Sequence, residues 1–174
     1  KPKIINIDHH LSHIASSYFC SPFDNSISIS VDGFGDFSST LITSCKNNSI
    51  QVISKVLFPH SLGIFYQAFT QYLGFKNYGD EYKMMGLAAY GEDKYFKKIN
   101  NLVKIKKQGK FELNLKYFNH FKKKIEYNWH EGIPSFDDLY INEEIFKLLN
   151  LKERKFDRPR QVLEMAVLRN LNLK

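Results

Sequence analysis

The chain has 174 residues, and its 43% hydrophobic and 25% charged residues exclude a disordered or fibrous protein. With 25 Lys and Arg against 18 Asp and Glu, the net charge is +7, which permits a phosphate-bearing partner without requiring one. Two cysteines without metal-type spacing argue against a disulfide scaffold, and no apolar run approaches the about 20 residues of a membrane span. We therefore expect a cytoplasmic protein with no membrane partner. Because the sequence opens with Lys1 and strand-like text rather than with Met, we also expect a piece of a longer protein.

The first 60 residues predict one helix followed by three strands. The helix should run from Asp8 or a neighbour to about Phe19, and Ser21 and Pro22 mark its end. Segments rich in Ser, Thr, Val and Ile are predicted to form strands at 26–31, 38–44 and 50–57. The Gly-rich residues 32–36 are interpreted as the turn between the first two strands.

Beyond residue 60 the period of the apolar residues changes to three and four, which predicts a helix over 62–73 that Gly74 ends. Its buried stripe should include Phe65, Phe69 and Tyr72. Further helices are predicted over 81–90, 93–102, 142–149 and 160–171. Strands in hairpin order followed by helices predict an α/β fold with helical cover on a mixed sheet.

Less regular structure is expected between the later helices. Residues 103–119 are strand-like with a turn at Gly109. Residues 119–138 are polar, aromatic and irregular, and no strand is predicted within them.

Two histidines four residues apart on the first helix are candidate metal ligands. Residues at this spacing project from one helix face, so His9 and His13 can reach a single ion. Packed or capping histidines are the alternative, and from the spacing alone they are the more frequent outcome. His10 points away by about 100° and is interpreted as a structural residue or as a support for the ligands.

A carboxylate and two glycines come directly after the clearest strand. Gly33 and Gly35 let the backbone approach a ligand closely, and successive N–H groups there can face an anion. A simple Asp-Gly hairpin turn is the alternative interpretation of Asp32 and its neighbours. Combined with His9 and His13, Asp32 would give a ligand set with open positions, suited to Fe(II) or a similar divalent ion.

Two further segments carry groups that could act on a substrate. Ser61 is a reasonable helix N-cap, and His60 beside it is interpreted from spacing as a capping-region histidine. Lys83 lies in a compact stretch whose small residues allow close approach to a ligand. A phosphate partner is one interpretation of Lys83, and an exposed pair with Glu81 is the more frequent one.

These segments together resemble the carbamoyltransferase family that includes nodulation-factor and antibiotic O-carbamoyltransferases. The blocks that carry the resemblance are residues 8–13, 21–23, 31–36, 58–63, 72–75 and 81–91. Their order over about half the chain makes the resemblance specific. Two histidines four residues apart would not by themselves identify a family.

The resemblance implies a ribonuclease-H-like, actin-like ATPase fold of two lobes. Residues 1–25 would end the first lobe and carry the metal-binding helix, and residues 26–174 would begin the second. In this family a separate domain makes carbamoyl-adenylate from carbamoyl phosphate and ATP. The domain resembled here then transfers the carbamoyl group to a hydroxyl of a sugar-containing or secondary-metabolite acceptor.

The resemblance also implies roles for individual residues. The family's metal ligands map onto His9, His13 and Asp32. Gly33 and Gly35 match a loop near the nucleotide phosphates, and Lys83 lies in the next motif along the chain. His10 and His60 are the candidate proton carriers for an attacking alcohol.

The resemblance fades beyond about residue 95, and the family's N-terminal phosphate loop and distal aspartate ligand are not found in these residues. We therefore expect the isolated chain to be inactive and to self-associate through an exposed lobe interface. A threonylcarbamoyl-transfer protein acting on tRNA is one alternative, although the blocks at 58–63 and 81–91 fit the O-carbamoyl family better and make nucleic acid the less favoured partner. An inactive binding remnant is the other.

Overall fold

The computed structural model describes residues 2–90 and 93–151. Across these residues the protein contains both helices and strands, as the order of the predicted elements indicated, but its strands form three small sheets rather than the one mixed sheet that was predicted. The chain divides into two compact units, Lys1–Gly63 with Ile105–Glu112 and Ile64–Lys104 with Leu113–Lys174. Among the described residues, no helix combines the length and the apolar character that crossing a membrane requires.

The first unit contains the helix and the three strands predicted for the start of the chain. They are α1 (His9–Tyr18), β1 (Asn25–Gly35), β2 (Ser38–Lys46) and β3 (Ser49–Leu57). β2 lies in the middle of the sheet and is antiparallel to both neighbours. Ile14 and Tyr18 of α1 form a buried cluster with Leu41 and Cys45 of β2, so the helix covers one face of the sheet.

The alternation of β1 places its serines, not its aliphatic residues, on the more buried side. Ser30 is buried, whereas Ile27 and Ile29 are 62% and 61% exposed. The serine side of the strand faces α1, where the Ser30 hydroxyl forms a hydrogen bond with the His10 ring. The alternating pattern therefore predicted the strand correctly, and the partner of its polar face is a histidine.

The reversal between β1 and β2 lies later than predicted. β1 continues to Gly35, and the chain turns at Asp36 and Phe37, whose φ angles are +49° and +64°. Two left-handed central residues match the twist of a two-residue hairpin. The turn predicted over 32–36 was wrong because the Gly-rich residues there belong to an irregular part of the strand.

The second unit contains most of the later helices and two small hairpins. Its elements are α2 (Leu62–Tyr72), α3 (Glu81–Ala88), α4 (Phe96–Asn100), β4 (Val103–Ile105), β5 (Phe111–Leu113), β6 (Tyr127–His130), β7 (Ile133–Phe136) and α5 (Asn142–Leu149). α2 begins two residues before this unit, and β4 and β5 lie partly in the first unit. The stripe predicted on α2 is buried in the core of this unit, as Phe65, Phe69 and Tyr72 show. Gly74 lies just after the helix with a φ of +87°, the left-handed conformation that a helix end favours.

Two predictions for this unit need correction, and a third concerns residues that the structure does not describe. The helix predicted over 93–102 is a 3₁₀ turn, Asp93–Tyr95, followed by the shorter α4. Residues 119–138 are not irregular throughout, because β6 and β7 pair within them around a turn with Gly132 at a φ of +81°. The helix predicted over 160–171 lies outside the described residues.

A pair of lysines stabilises the charged form of a glutamate in α5. Lys116 Nζ lies 2.7 Å from Glu144 Oε2, and Lys147 Nζ lies 3.0 Å from Oε1. The ammonium group of Lys116 makes the larger contribution and that of Lys147 the smaller one, and together they hold the pKa of the Glu144 carboxyl below its ordinary value of 4.5. A carboxyl with a lowered folded pKa stabilises the fold above its unfolded pKa, and that contribution is lost as the pH falls through the folded pKa.

We therefore expect Glu144→Gln to lower the melting temperature at pH 7 and to have a smaller effect at an acidic pH below the lowered pKa of Glu144, where the wild-type carboxyl also loses its charge. Thermal unfolding followed by circular dichroism at both pH values measures the difference. Glu143→Gln, at an exposed position in the same helical turn, is the matched control. An effect of Glu144→Gln that is equal at both pH values would contradict the assignment.

Candidate metal centre

The start of α1 is fixed by side chains from three elements. Asp8 is the N-cap, and its Oδ1 accepts the Leu11 N–H at 3.0 Å. Lys55 of β3 contacts the other oxygen of Asp8 at 2.9 Å, and Asp36 accepts the His9 N–H at 2.8 Å. The Leu11 N–H and the Lys55 ammonium hold the pKa of Asp8 below its usual value. These contacts set the rotation of the helix and so the direction of its first histidine.

A bulge in β1 redirects Asp32 towards that histidine. Val31 pairs with Thr40 and Gly35 pairs with Ser38, so the three residues 32–34 face the single residue Ser39. Extra residues of this kind bend a strand and re-aim its side chains, and they occur often beside functional sites. The irregularity at 32–34 is therefore what places the carboxylate beside α1.

His9, His13 and Asp32 converge at this bulge. His9 Nε2 lies 2.7 Å from Asp32 Oδ2 and 3.1 Å from His13 Nε2, and His13 Nε2 lies 3.7 Å from the same carboxylate oxygen. The three form a group that could hold a metal ion. Their side chains are between 38% and 56% exposed, so a small molecule could reach them from solvent.

These distances are short enough for all three side chains to bind one cation. One Nε2 atom has a single in-plane position for a proton or a lone pair, so His9 cannot bond well to both Asp32 and His13. With metal bonds of about 2.1 Å at right angles, adjacent ligand atoms lie about 3.0 Å apart. The measured separations scatter around that value. Two imidazoles and a carboxylate are the ligand types of non-haem Fe(II) sites, in which other coordination positions stay open.

The electrostatics keep Asp32 in its anionic form. Partial burial raises the pKa of the Asp32 carboxyl, but the hydrogen bonds from His9 and from the Gly33 N–H outweigh it and the net pKa is lowered. The Gly33 N–H donates to Asp32 Oδ1 at 2.7 Å, which leaves Oδ2 directed at the histidines. At neutral pH, the Asp32 carboxyl is therefore ionised.

The two glycines of the bulge differ in what surrounds them. A Cβ on Gly35 would lie 2.0 Å from Cδ2 of His9 and 2.7 Å from its Nε2, whereas a Cβ on Gly33 would meet nothing within 4 Å. Neither glycine has a positive φ. Gly35 is thus required so that the His9 ring can lie against the strand.

The sequence also matches a known protein family. The sequence profile described as carbamoyltransferase N-terminus matches residues 1–143. The chain belongs to this family. Carbamoyltransferase-family sequence therefore covers all of the residues that form the candidate metal centre.

Among similar proteins, an uncharacterized protein of Synechocystis sp. is 46% identical over 120 residues, which cover 68% of this chain and 20% of that protein. Nodulation protein NolNO of Sinorhizobium fredii is 38% identical over 90 residues, 52% of this chain and 13% of that protein. Nodulation protein NolO of Bradyrhizobium diazoefficiens is 36% identical over 112 residues, 63% of this chain and 20% of that protein. The matched part of this carbamoyltransferase-family chain thus spans about one fifth or less of the length of these relatives.

In this carbamoyltransferase-family chain, His10 is fully buried and both of its ring nitrogens are hydrogen-bonded. Nε2 lies 3.0 Å from the Ser38 carbonyl oxygen and must donate, so Nδ1 accepts from the Ser30 hydroxyl at 2.8 Å. This pairing fixes one neutral tautomer. The geometry favours the structural interpretation of His10, which anchors α1 to the sheet, over a role in proton transfer.

The other two predicted groups lie apart from α1 in the chain. His60 is half-buried in the segment after β3, and its carbonyl accepts the Ser39 hydroxyl at 2.6 Å. Lys83 belongs to the second unit, where its Nζ lies 2.6 Å from Asp80 Oδ1. That hydrogen bond raises the pKa of Lys83. Its partner is Asp80 rather than Glu81, the residue that the sequence pattern favoured.

Sequence reasoning missed three residues that support the candidate metal centre. Asp36 was treated as part of a turn, although its carboxylate holds the His9 N–H. Ser61 and Gly63 were treated as the start of a helix, although both contact the bulge that carries Asp32. The signal was present only as the recurrence of small residues around 61–63, which does not identify a partner.

Proposed function

We propose that this chain contributes to an O-carbamoyltransferase, which transfers a carbamoyl group to a hydroxyl of a sugar-containing or secondary-metabolite acceptor. The family match and the similarity to nodulation proteins support the reaction class. The observation that carries the proposal is the convergence of His9, His13 and Asp32 at the bulge of β1.

We further propose that these three residues hold a divalent metal ion, with Fe(II) as the best match to the ligand set. His9 and His13 would bind through neutral Nε2 atoms and Asp32 through its ionised carboxylate. An ion bound there would stabilise negative charge on the oxygens of an anionic carbamoyl donor.

The proposed donor is carbamoyl-adenylate, made from carbamoyl phosphate and ATP elsewhere in a longer protein with the two-lobed ribonuclease-H-like, actin-like fold. The acceptor oxygen forms a bond to the carbamoyl carbon, the bond to the phosphate oxygen of the adenylate breaks, and the hydroxyl proton passes to a base. His60 remains the candidate for that base, whereas His10 is assigned a positioning role because both of its nitrogens are engaged.

We also propose that Gly33, Gly35 and Lys83 bind the nucleotide phosphates, although each of these residues has another contact in the structure. The Gly33 N–H donates to Asp32, and Gly35 makes room for His9, so both glycines also serve the metal ligands. Lys83 would have to exchange its contact with Asp80 for a phosphate oxygen. A phosphate can compete for such a lysine because both partners are anionic oxygens.

The proposal is tested with the intact protein that contains this chain, supplied with carbamoyl phosphate, ATP, Fe(II) and a panel of hydroxylated sugars. We expect a carbamate ester by mass spectrometry, and we expect His13→Ala to lower its rate at least about 100-fold, because metal stabilisation of transition-state charge contributes several kcal/mol. His130→Ala, at an exposed position of β6, is the matched control and should retain the wild-type rate.

Metal uptake by the 174-residue chain provides the second readout. Anaerobic titration with Fe(II), or with Co(II) as a spectroscopic surrogate, should saturate at one ion for the wild type and for His130→Ala, but not for His13→Ala. Equal uptake by the wild type and by His13→Ala would contradict the metal assignment. Metal uptake without any carbamate product would contradict the proposed reaction and leave the metal site intact.

A further inference from the structure

The bulge that carries Asp32 is braced by a buried serine from the segment between β3 and α2. Ser61 is fully buried, and its hydroxyl oxygen lies 2.6 Å from the Gly33 carbonyl oxygen and 3.1 Å from the Asp32 carbonyl oxygen. Carbonyl groups in a bulge lack the ladder partners that a regular strand provides. One hydroxyl therefore satisfies the backbone at the position where the strand departs from its register.

A second contact brings the same segment against the bulge. A Cβ on Gly63 would lie 2.7 Å from the Gly33 nitrogen and 2.8 Å from the Asp32 carbonyl oxygen, so only glycine fits there without moving the backbone. On the opposite strand, the buried Ser39 donates to the His60 carbonyl oxygen at 2.6 Å. The segment is thus held from β2 and in turn holds the bulge.

We infer that Ser61 is a positioning residue for the metal ligand Asp32, acting through the backbone of the bulge. This inference rests on the proposed function, since it assigns Ser61 to the same metal centre. The backbone of Asp32 determines where its carboxylate lies, because a carboxylate on a short side chain cannot compensate for a shift of its own Cα. The hydroxyl of Ser61 contacts that backbone at the carbonyl groups of Asp32 and Gly33.

The test compares Ser61→Ala with Ser54→Ala in the 174-residue chain. Ser54 is the matched control because it is buried in the same unit and its hydroxyl also donates to a backbone carbonyl, that of Gln108 at 2.8 Å, away from the bulge. We expect Ser61→Ala to weaken Co(II) binding about 10- to 100-fold, the usual effect of losing a group that orients a ligand. Ser54→Ala should bind Co(II) with the affinity of the wild type, although its melting temperature should fall by about as much as that of Ser61→Ala.

A metal-free readout separates failure of this inference from failure of the proposed function. The imidazole nitrogen shifts of His9, measured by NMR without metal at one pH, report its hydrogen bond to Asp32. They should change in Ser61→Ala and not in Ser54→Ala. If the wild type binds no Co(II), the proposed metal site is wrong, and the NMR comparison still decides whether Ser61 positions Asp32.

Wild-type Co(II) affinity in Ser61→Ala would overturn the inference, as would unchanged His9 shifts. If Ser61→Ala does not fold, Gly63→Ala makes the same comparison, because its Cβ displaces the same backbone atoms. Loss of the fold in both variants would also overturn the inference, since the segment would then have a purely structural role.

Discussion

Replacing Gly35 with alanine is expected to weaken the proposed metal binding strongly while leaving most of the secondary structure in place. The new Cβ would lie 2.0 Å from Cδ2 of the His9 ring, a separation that non-bonded atoms do not reach. The ring is partly exposed and can rotate away, so the change removes a ligand before it disrupts the core. We expect Co(II) affinity to fall at least about 100-fold, in line with the loss of one ligand from a three-ligand set.

Gly33→Ala is the matched control, because a Cβ at that position meets nothing within 4 Å. It should bind Co(II) with an affinity close to that of the wild type. Titration of both variants, with circular dichroism to verify the fold, makes the comparison. Similar affinities for Gly35→Ala and Gly33→Ala would show that His9 does not need the space that Gly35 provides.

Replacing Phe69 with alanine is expected to cause a large loss of stability in the second unit. Phe69 is 1% exposed and lies within the buried cluster on α2, where its ring centroid is 5.2 Å from that of Phe65. Truncation of a buried Phe to Ala removes its apolar contacts and leaves a cavity that the core fills only in part. The expected cost is about 3–5 kcal/mol in the free energy of unfolding.

Urea denaturation followed by circular dichroism measures this cost, with Tyr82→Ala as the control. Tyr82 is 66% exposed on α3, so its truncation should change the free energy of unfolding by less than about 0.5 kcal/mol. A Phe69→Ala variant as stable as Tyr82→Ala would mean that the α2 stripe does not form the core of this unit.

Local signals were sufficient to predict the elements that carry the candidate ligands. Asp8 predicted the start of α1 because an aspartate N-cap acts within its own helical turn, and the cap is observed. The spacing of His9 and His13 predicted a shared face for the same reason, since helix geometry alone determines it. The alternation of Ser with Ile and Val predicted β1, although not which side would face α1.

The bulge could not be predicted, because its determinants lie far apart in the sequence. Nothing near Asp32 indicates that Ser61 will satisfy its carbonyl group, a contact that joins residues 29 positions apart. The hairpin of β6 and β7 was missed for a different reason. All of β6 is exposed, so it lacks the alternation of apolar and polar residues that normally identifies a strand.

The residues that contact one another in the candidate metal centre are separated by fewer than 30 positions in the sequence, which affects how the chain can be lengthened without disturbing them. Contacts of His9 with Asp32 and Asp36 span 23 and 27 residues, and that of Ser61 with Gly33 spans 28. Loop-closure entropy depends on these separations and not on the length of chain beyond them. Segments added after Gly63 therefore leave every closing loop of the metal centre unchanged. The residues of the candidate centre therefore lie in one continuous stretch of chain, and the entropy of closing its loops does not change when chain is added after that stretch.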